Sequence, residues 1–345
     1  MVFGPCGGVR EDAQCEAQDA RCGFIDAPTP LWSPSALAAG HPDGLRDLRA
    51  DTGGQHAGAI RFAERLRSEW VVTADLMLRA TDSSVVADTS ARLASVLSAA
   101  VLGELATAGP TLAPAHRAAL IQASGLNVIS ALTCRDRNRV ALEGELAALA
   151  DVQVAAVLAL TGDYPTRRDK DTSAAVFDLD STRLAALAHR GGHLVAVAEQ
   201  PAAHPVARRA ERLRQKLNAG AEMCLVNMCG GADAVARFRE DLEMIGAEIP
   251  LIPVIPVVLS AAAADGLSTL PGTVVEPSLR EQLSRASQPE QVGIKYAVSL
   301  AHELAAISGV AGVHLSVFGM SDDPTGVRAS LLLADIAHRI RMEGR

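Results

Sequence analysis

The chain has 345 residues, 49% hydrophobic, 21% charged and only 3% aromatic, with a formal net charge of −8 at pH 7. That length can bury one large core or two ordinary ones, built chiefly from Ala, Leu and Val. The acidic balance excludes a general nucleic-acid binder, which needs a basic surface, and no apolar stretch is both long and uncharged enough to span a bilayer, so neither partner is expected.

Residues 1–55 stand apart. They carry Cys6, Cys15 and Cys22, are rich in Gly and Pro, and show no sustained helical period. They read as an irregular N-terminal segment ending in the polar linker "DLRADTGGQHAG". The opening "MVFGPCGGVREDAQCE" lacks the apolar core of a secretory signal, and six cysteines in a chain this long read as reduced thiols, so a cytoplasmic protein is expected. The three N-terminal thiols have no CxxC pair among them. A closed zinc site wants four ligands, the fourth coming from His41 or from elsewhere in the chain. The alternative is a loop that packs on the main domain.

From about residue 68 short apolar runs alternate with helical patterns. The runs are 70–78, 98–106, 126–134, 154–161, 193–199, 222–229, 251–258 and 312–319. The second is rich in alanine and ambiguous with helix. Helical patterns such as "AVARRAERLRQKLNAG" lie between them, this one closing on Asn-Ala-Gly, a helix stop. Eight strands each followed by a helix predict a parallel sheet covered by helices. The repeat number favours a closed (β/α)8 TIM barrel over residues 56–345 with an irregular N-terminal extension, and places the chemistry at the C-terminal ends of the strands. The rival is an open doubly wound sheet, which the absence of a GxGxxG loop weakens. The stretch 259–310 is too long for one strand–helix unit and predicts an extra helix or a lid-like excursion.

The strand ends supply the candidates. Asp75 sits in "VVTADLML", where a carboxylate among apolar residues needs a partner or a solvated site; the bland alternative is a side chain pointing to water. "TCRDRNRVAL" places Arg135, Asp136, Arg137, Asn138 and Arg139 on a loop and first helical turn, either as an anion site or as an ionic network with Asp136 or Asn138 capping the helix. The fourth run stops at Thr161-Gly162-Asp163-Tyr164-Pro165. Glycine there lets a backbone approach a ligand, and Asp163 is either a ligand residue or a turn cap. His204 lies on the loop after the fifth run. Asn227 is an amide within the sixth, and a buried amide requires partners. Cys134, Cys224 and Cys229 fall in or at strands and read as small core residues.

Together, "LTCRDRNRVAL", "LTGDYP", "VFDLDS" and "AGAEMCLVNM", in this order over about residues 68–340, resemble the methylenetetrahydrofolate reductase family. The resemblance implies a (β/α)8 barrel that holds FAD at its C-terminal face and reduces 5,10-methylenetetrahydrofolate to 5-methyltetrahydrofolate. Ring opening to an iminium at N5 calls for a proton donor, and a hydride must then arrive. Burial that raises a carboxyl pKa suits the donor role. By resemblance Asp75 is the catalytic acid, where the family has Glu, and Asp163 is the second catalytic carboxylate, near flavin and pterin. Thr161, Gly162, Asp163, Ala198, His204 and Lys216 are implied at the flavin, and Asn227, where the family has Gln, at the folate. Ala131 stands where many members have His.

The electron donor implied is NADH, NADPH or a redox partner protein, and a homo-oligomer is expected. The cysteine segment resembles one that accompanies some bacterial members in association with metal, which implies zinc at Cys6, Cys15 and Cys22. Two further readings stay open: a non-catalytic folate- or partner-binding paralogue, and a reductase that takes hydride directly from the nicotinamide without flavin.

Overall fold

The computed structural model describes residues 12–14, 21 and 54–343, apart from Met77, 79–82, 105–110, 163–175, Phe177, Pro271, 321–322 and Pro324. Eight parallel strands hydrogen-bond in sequence order and the last pairs with the first, closing a barrel. They are β1 (Val71–Asp75), β2 (Ala99–Leu102), β3 (Val128–Thr133), β4 (Ala156–Leu160), β5 (Val195–Glu199), β6 (Met223–Val226), β7 (Leu251–Val258) and β8 (Gly312–Phe318). Each observed strand lies inside one of the eight apolar runs, and the alanine-rich second run is a strand. Most runs overshoot their strand at one or both ends.

Side chains alternate along each strand, and the two faces pack into two separate cores. Val72 and Ala74 of β1, Leu132 of β3 and Val197 of β5 face outward and pack in one large cluster with the helices. Val71, Ala99, Ile129, Ala131, Leu158, Ala196, Leu225 and Ile252 face the lumen. The helices are α1 (Ala57–Ser68), α2 (Ser83–Leu93), α3 (Pro114–Gln122), α4 (Arg139–Asp151), α5 (Ser181–Arg190), α6 (Arg209–Asn218), α7 (Ala232–Met244), α8 (Ala261–Ser268), α9 (Pro277–Arg285), α10 (Pro289–Ala305) and α11 (Val327–Glu343).

Helix α1 precedes the barrel and closes its N-terminal end. Ala59, Phe62 and Leu66 lie on one helical face and join the lumen cluster beside Val71, Ala155 and Leu194. Many lumen positions are alanine, so Phe62 supplies bulk that the strands lack; full burial of such a side chain contributes about 2–3 kcal/mol. The helix approaches so closely that a Cβ on Gly58 would lie 2.0 Å from the Gln153 carbonyl oxygen. The His56 amide donates to Gly192 O at 3.0 Å, and the His56 ring bonds Gly191 O at 2.6 Å. This helix is not assigned from the sequence; the polar linker read there ends at Gly58 and overlaps only its first two residues, Ala57 and Gly58. Its signal is the spacing of Ala59, Phe62 and Leu66, masked by the neighbouring Gly, Gln and His.

The excursion expected between β7 and β8 consists of α8, α9 and α10. The arm between α8 and α9 crosses the ends of two strands. Val274 N donates to Met228 O at 3.0 Å beyond β6, and Gln200 Nε2 donates to Thr273 Oγ1 at 3.4 Å beyond β5.

Candidate active site

The C-terminal mouth gathers polar groups from different strands. Asp75 ends β1, on the lumen-facing alternation. Across the β1–β8 seam Thr73 is in register with His314. His314 Nε2 lies 3.2 Å from Asp75 Oδ1, and Ser316 Oγ donates to Asp75 Oδ2 at 2.6 Å. On the other side of the ring, Nδ1 is 3.0 Å from Thr73 Oγ1, whose hydroxyl also reaches Val313 O at 3.3 Å. The His314 side chain is 4% exposed and that of Asp75 is 24% exposed, so the carboxylate is the part of this chain of contacts that meets solvent.

Burial alone pushes the Asp75 carboxyl up, as the sequence reading anticipated. The positive charge of His314 and the hydrogen bonds from His314 and Ser316 outweigh it and hold the group below the usual aspartate range. Asp75 is therefore a carboxylate at neutral pH. The reading from sequence missed His314 and Ser316. Their signal was present in "GVHLSVFG": two polar residues two apart in an apolar strand share one face.

On the β2–β4 side, Glu104 follows the end of β2 and was also missed. It takes Arg137 on both oxygens, with Nη2 to Oε1 at 2.7 Å and Nη1 to Oε2 at 2.9 Å. It also accepts from Thr133 N at 2.8 Å and Thr133 Oγ1 at 3.0 Å. Arg135 pairs with Asp136 at 3.3 Å and Arg139 with Glu143 at 3.0 Å. Asn138 caps α4 by accepting from Ala141 N at 3.0 Å. The arginines of "TCRDRNR" are thus held in an ionic network with Asn138 as the cap.

The separate sequence motifs meet here. Asp178 Oδ2 accepts from Arg139 N at 2.8 Å, Val176 N donates to Arg135 O at 2.8 Å, and Ser181 N donates to Thr161 Oγ1 at 3.1 Å. "VFDLDS" therefore ties the ends of β3 and β4 to the starts of α4 and α5. Gly162 has φ +85°, and a Cβ there would sit 3.0 Å from both Arg135 Cβ and Thr133 Cβ, so neither conformation nor space admits a larger residue. Asp163 lies outside the described residues.

The β5–β6 side divides by face. Ala198 and Asn227 share the lumen-facing alternation. The Asn227 backbone amide donates to Glu199 O at 2.7 Å, while its half-buried side-chain amide meets no partner among the described residues. Glu199 faces outward and is fully enclosed by α6. Its oxygens lie 3.1 Å from Lys216 Nζ, 3.4 Å from Arg209 and 3.3 Å from Arg212. Burial raises the Glu199 carboxyl, but Arg212, Lys216 and Arg209 together carry it down to about 2. Lys216 is lowered: burial and the nearby Arg212 charge outweigh the attraction of Glu199. Lys216 is only 3% exposed and also donates to Ala198 O. His204 is exposed on the loop after β5.

Cys134, Cys224 and Cys229 are free and buried, and burial raises each thiol, that of Cys229 to about 11. These are inert core residues. Among the described residues no group of three or more His, Cys, Asp or Glu could hold a metal; Cys6, Cys15 and Cys22 lie outside them. No described helix is long and apolar enough to cross a membrane.

The profile of the methylenetetrahydrofolate reductase family matches residues 105–329, well over half of the chain. The chain belongs to this family. The match includes His314 and Ser316 and leaves out β1 with Asp75. No curated protein matches. Among solved structures, the fold is shared with an uncharacterised protein from Clostridium thermocellum that binds two copies of 5-methyl-5,6,7,8-tetrahydrofolic acid. It is 11% identical with a TM-score of 0.58, covering 80% of this chain and 98% of that one. A 2,3-dimethylmalate lyase of the PEP mutase/isocitrate lyase superfamily is 12% identical, TM-score 0.46, covering 84% and 89% of the two chains. An oxaloacetate acetylhydrolase in complex with oxalate is 13% identical, TM-score 0.44, covering 84% and 88%. At 11% identity the likeness to the Clostridium thermocellum protein is one of fold.

Proposed function

We propose that this family member binds a reduced folate at the C-terminal mouth of the barrel and reduces the methylene bridge of 5,10-methylenetetrahydrofolate to a 5-methyl group. Family membership supports the reaction class, and the folate-binding barrel from Clostridium thermocellum supports the ligand class. The observation that carries the reading is the lumen-facing Asp75 carboxylate, fixed by His314 and Ser316, with the Asn227 side-chain amide, which meets no partner among the described residues, on the same inner face. A carboxylate and an amide facing one lumen match the N–H donors and ring acceptors of a pterin. Asp163, beside the Gly162 turn, belongs to the same reading as a second catalytic carboxylate.

The flavin role implied for Lys216 does not fit its surroundings. A diphosphate needs an accessible cation, and this ammonium is buried against Glu199 at 3.1 Å. That favours the reading in which NADH or NADPH delivers hydride directly to the folate.

Three measurements on the purified protein test this: the visible spectrum, calorimetric binding of 5-methyltetrahydrofolate, and methylenetetrahydrofolate-dependent oxidation of NADH and NADPH. Colourless protein with turnover is the expected result. Tightly bound FAD would overturn direct hydride transfer. Folate binding without turnover by any donor, with FAD added or not, would leave a binding protein and end the reductase reading. Zinc at Cys6, Cys15 and Cys22 is part of the same proposal; equal metal content in wild type and a triple Ser variant would end it.

A further inference from the structure

We propose that His314 is a proton-storing partner of Asp75, so that the proton which opens the folate ring comes from the imidazolium through the carboxylate. This rests on the reductase reading above. Asp75 is the exposed end of the pair and His314 the enclosed end, so only Asp75 can touch a ligand at the mouth. As a carboxylate Asp75 has no proton to give, and a donor must therefore recharge it.

The hydrogen bonds give that proton a route. Thr73 has one hydroxyl proton and two acceptors in reach, Val313 O and His314 Nδ1. When that proton goes to Val313 O, Nδ1 must itself donate to Thr73 Oγ1, while Nε2 donates to Asp75 Oδ1. The ring is then doubly protonated and paired with an ionised Asp75. Ser316 holds the other carboxylate oxygen and fixes the orientation of the group. Among the described residues Asp75 is the one titratable group that bonds or pairs with the ring; from the flanking strands Thr73 of β1 and Val254 of β7 are in register with it.

A folate seated over Asp75 removes the water that stabilises its charge. In the drier site the neutral pair gains on the ion pair. The Nε2–H bond breaks and an O–H bond forms on Asp75 Oδ1. Nδ1–H stays on Thr73, and Nε2 becomes an acceptor. Asp75 then passes the proton to N10 as the bond from the methylene carbon to N10 breaks, its electron pair remaining on N10. The iminium left at N5 takes hydride from NADH or NADPH. The ring has lost one proton, which solvent restores after the product leaves.

His314→Gln tests the idea, because glutamine can keep a donor on Asp75 and an acceptor for Thr73 but cannot carry the proton. The expected result is a fall in kcat of about a hundredfold or more with affinity for 5-methyltetrahydrofolate unchanged. Nitrogen-15 histidine NMR of the full chain gives a readout that a merely structural role would not move. The signal absent from His314→Gln should pass from imidazolium to neutral imidazole when wild type is saturated with 5-methyltetrahydrofolate. Full activity in His314→Gln, or a ring whose charge state is the same with and without folate, would overturn the relay alone. A wild type that binds or turns over no folate brings down the reading and the relay together.

Discussion

Two acidic residues end strands on opposite sides of the barrel and have opposite fates. Asp75 closes β1 and Glu199 closes β5, and both carboxyls are held below their ordinary range despite burial. Asp75 points into the lumen and is restrained by one histidine and one serine. Glu199 points into the helix layer and is locked by three cations. One residue of parity in a strand decides which carboxylate faces the lumen and which serves the wall. The contrast also separates two uses of charge: the Asp75 contacts leave one face open, whereas those of Glu199 leave none.

The largest expected effect is on the wall. Glu199→Ala strands Lys216, Arg209 and Arg212 without their shared anion, and removing one partner from such a cluster costs about 3–5 kcal/mol. Urea unfolding should show that loss, or the soluble yield should collapse; a variant as stable as wild type would dissolve the contrast. Asp75→Asn should change stability by only about 1 kcal/mol while lowering turnover about a hundredfold, as read by the same unfolding curve beside a donor-oxidation assay. Equal destabilisation by the two variants would make Asp75 a wall residue as well.

Acid sharpens the comparison further. Glu199 titrates at about 2 in the folded chain against an ordinary 4.5, so its stabilisation is complete above that ordinary value and is lost as pH falls through the interval between them. Wild type should lose stability there with an added slope of up to about 1.4 kcal/mol per pH unit, which Glu199→Gln should lack. The smallest effect is expected at Asn138, which neither lines the lumen nor neutralises a charge: Asn138→Ala should cost about 1 kcal/mol through its lost cap, measured by thermal melts, with folate binding unchanged.

The barrel was legible because β/α alternation is written in local hydrophobic period, and all eight strands follow it. Asp75 and Asn227 stand out as polar residues inside apolar runs, and Ala198 comes from the family resemblance; that all three share the lumen-facing alternation is not read from the sequence. What escaped depends on contacts between distant segments. His314 is 239 residues from Asp75, and Glu104 is 33 from Arg137, so neither partnership has a local signature. Lys216 is implied at the flavin by family resemblance; only the packing of α6 on β5 shows it buried against Glu199. Phe62 likewise acquires its role from the empty space that small lumen side chains leave below the mouth.

That last feature has a kinetic consequence. Among the described residues α1 covers the N-terminal end of the lumen, which leaves the C-terminal mouth as the way in, and the arm carrying Thr273 and Val274 crosses its rim at β5 and β6. On the proposed reductase reading, two reactants that share this doorway would arrive in sequence, the one nearer Asp75 first, and that one would depart last.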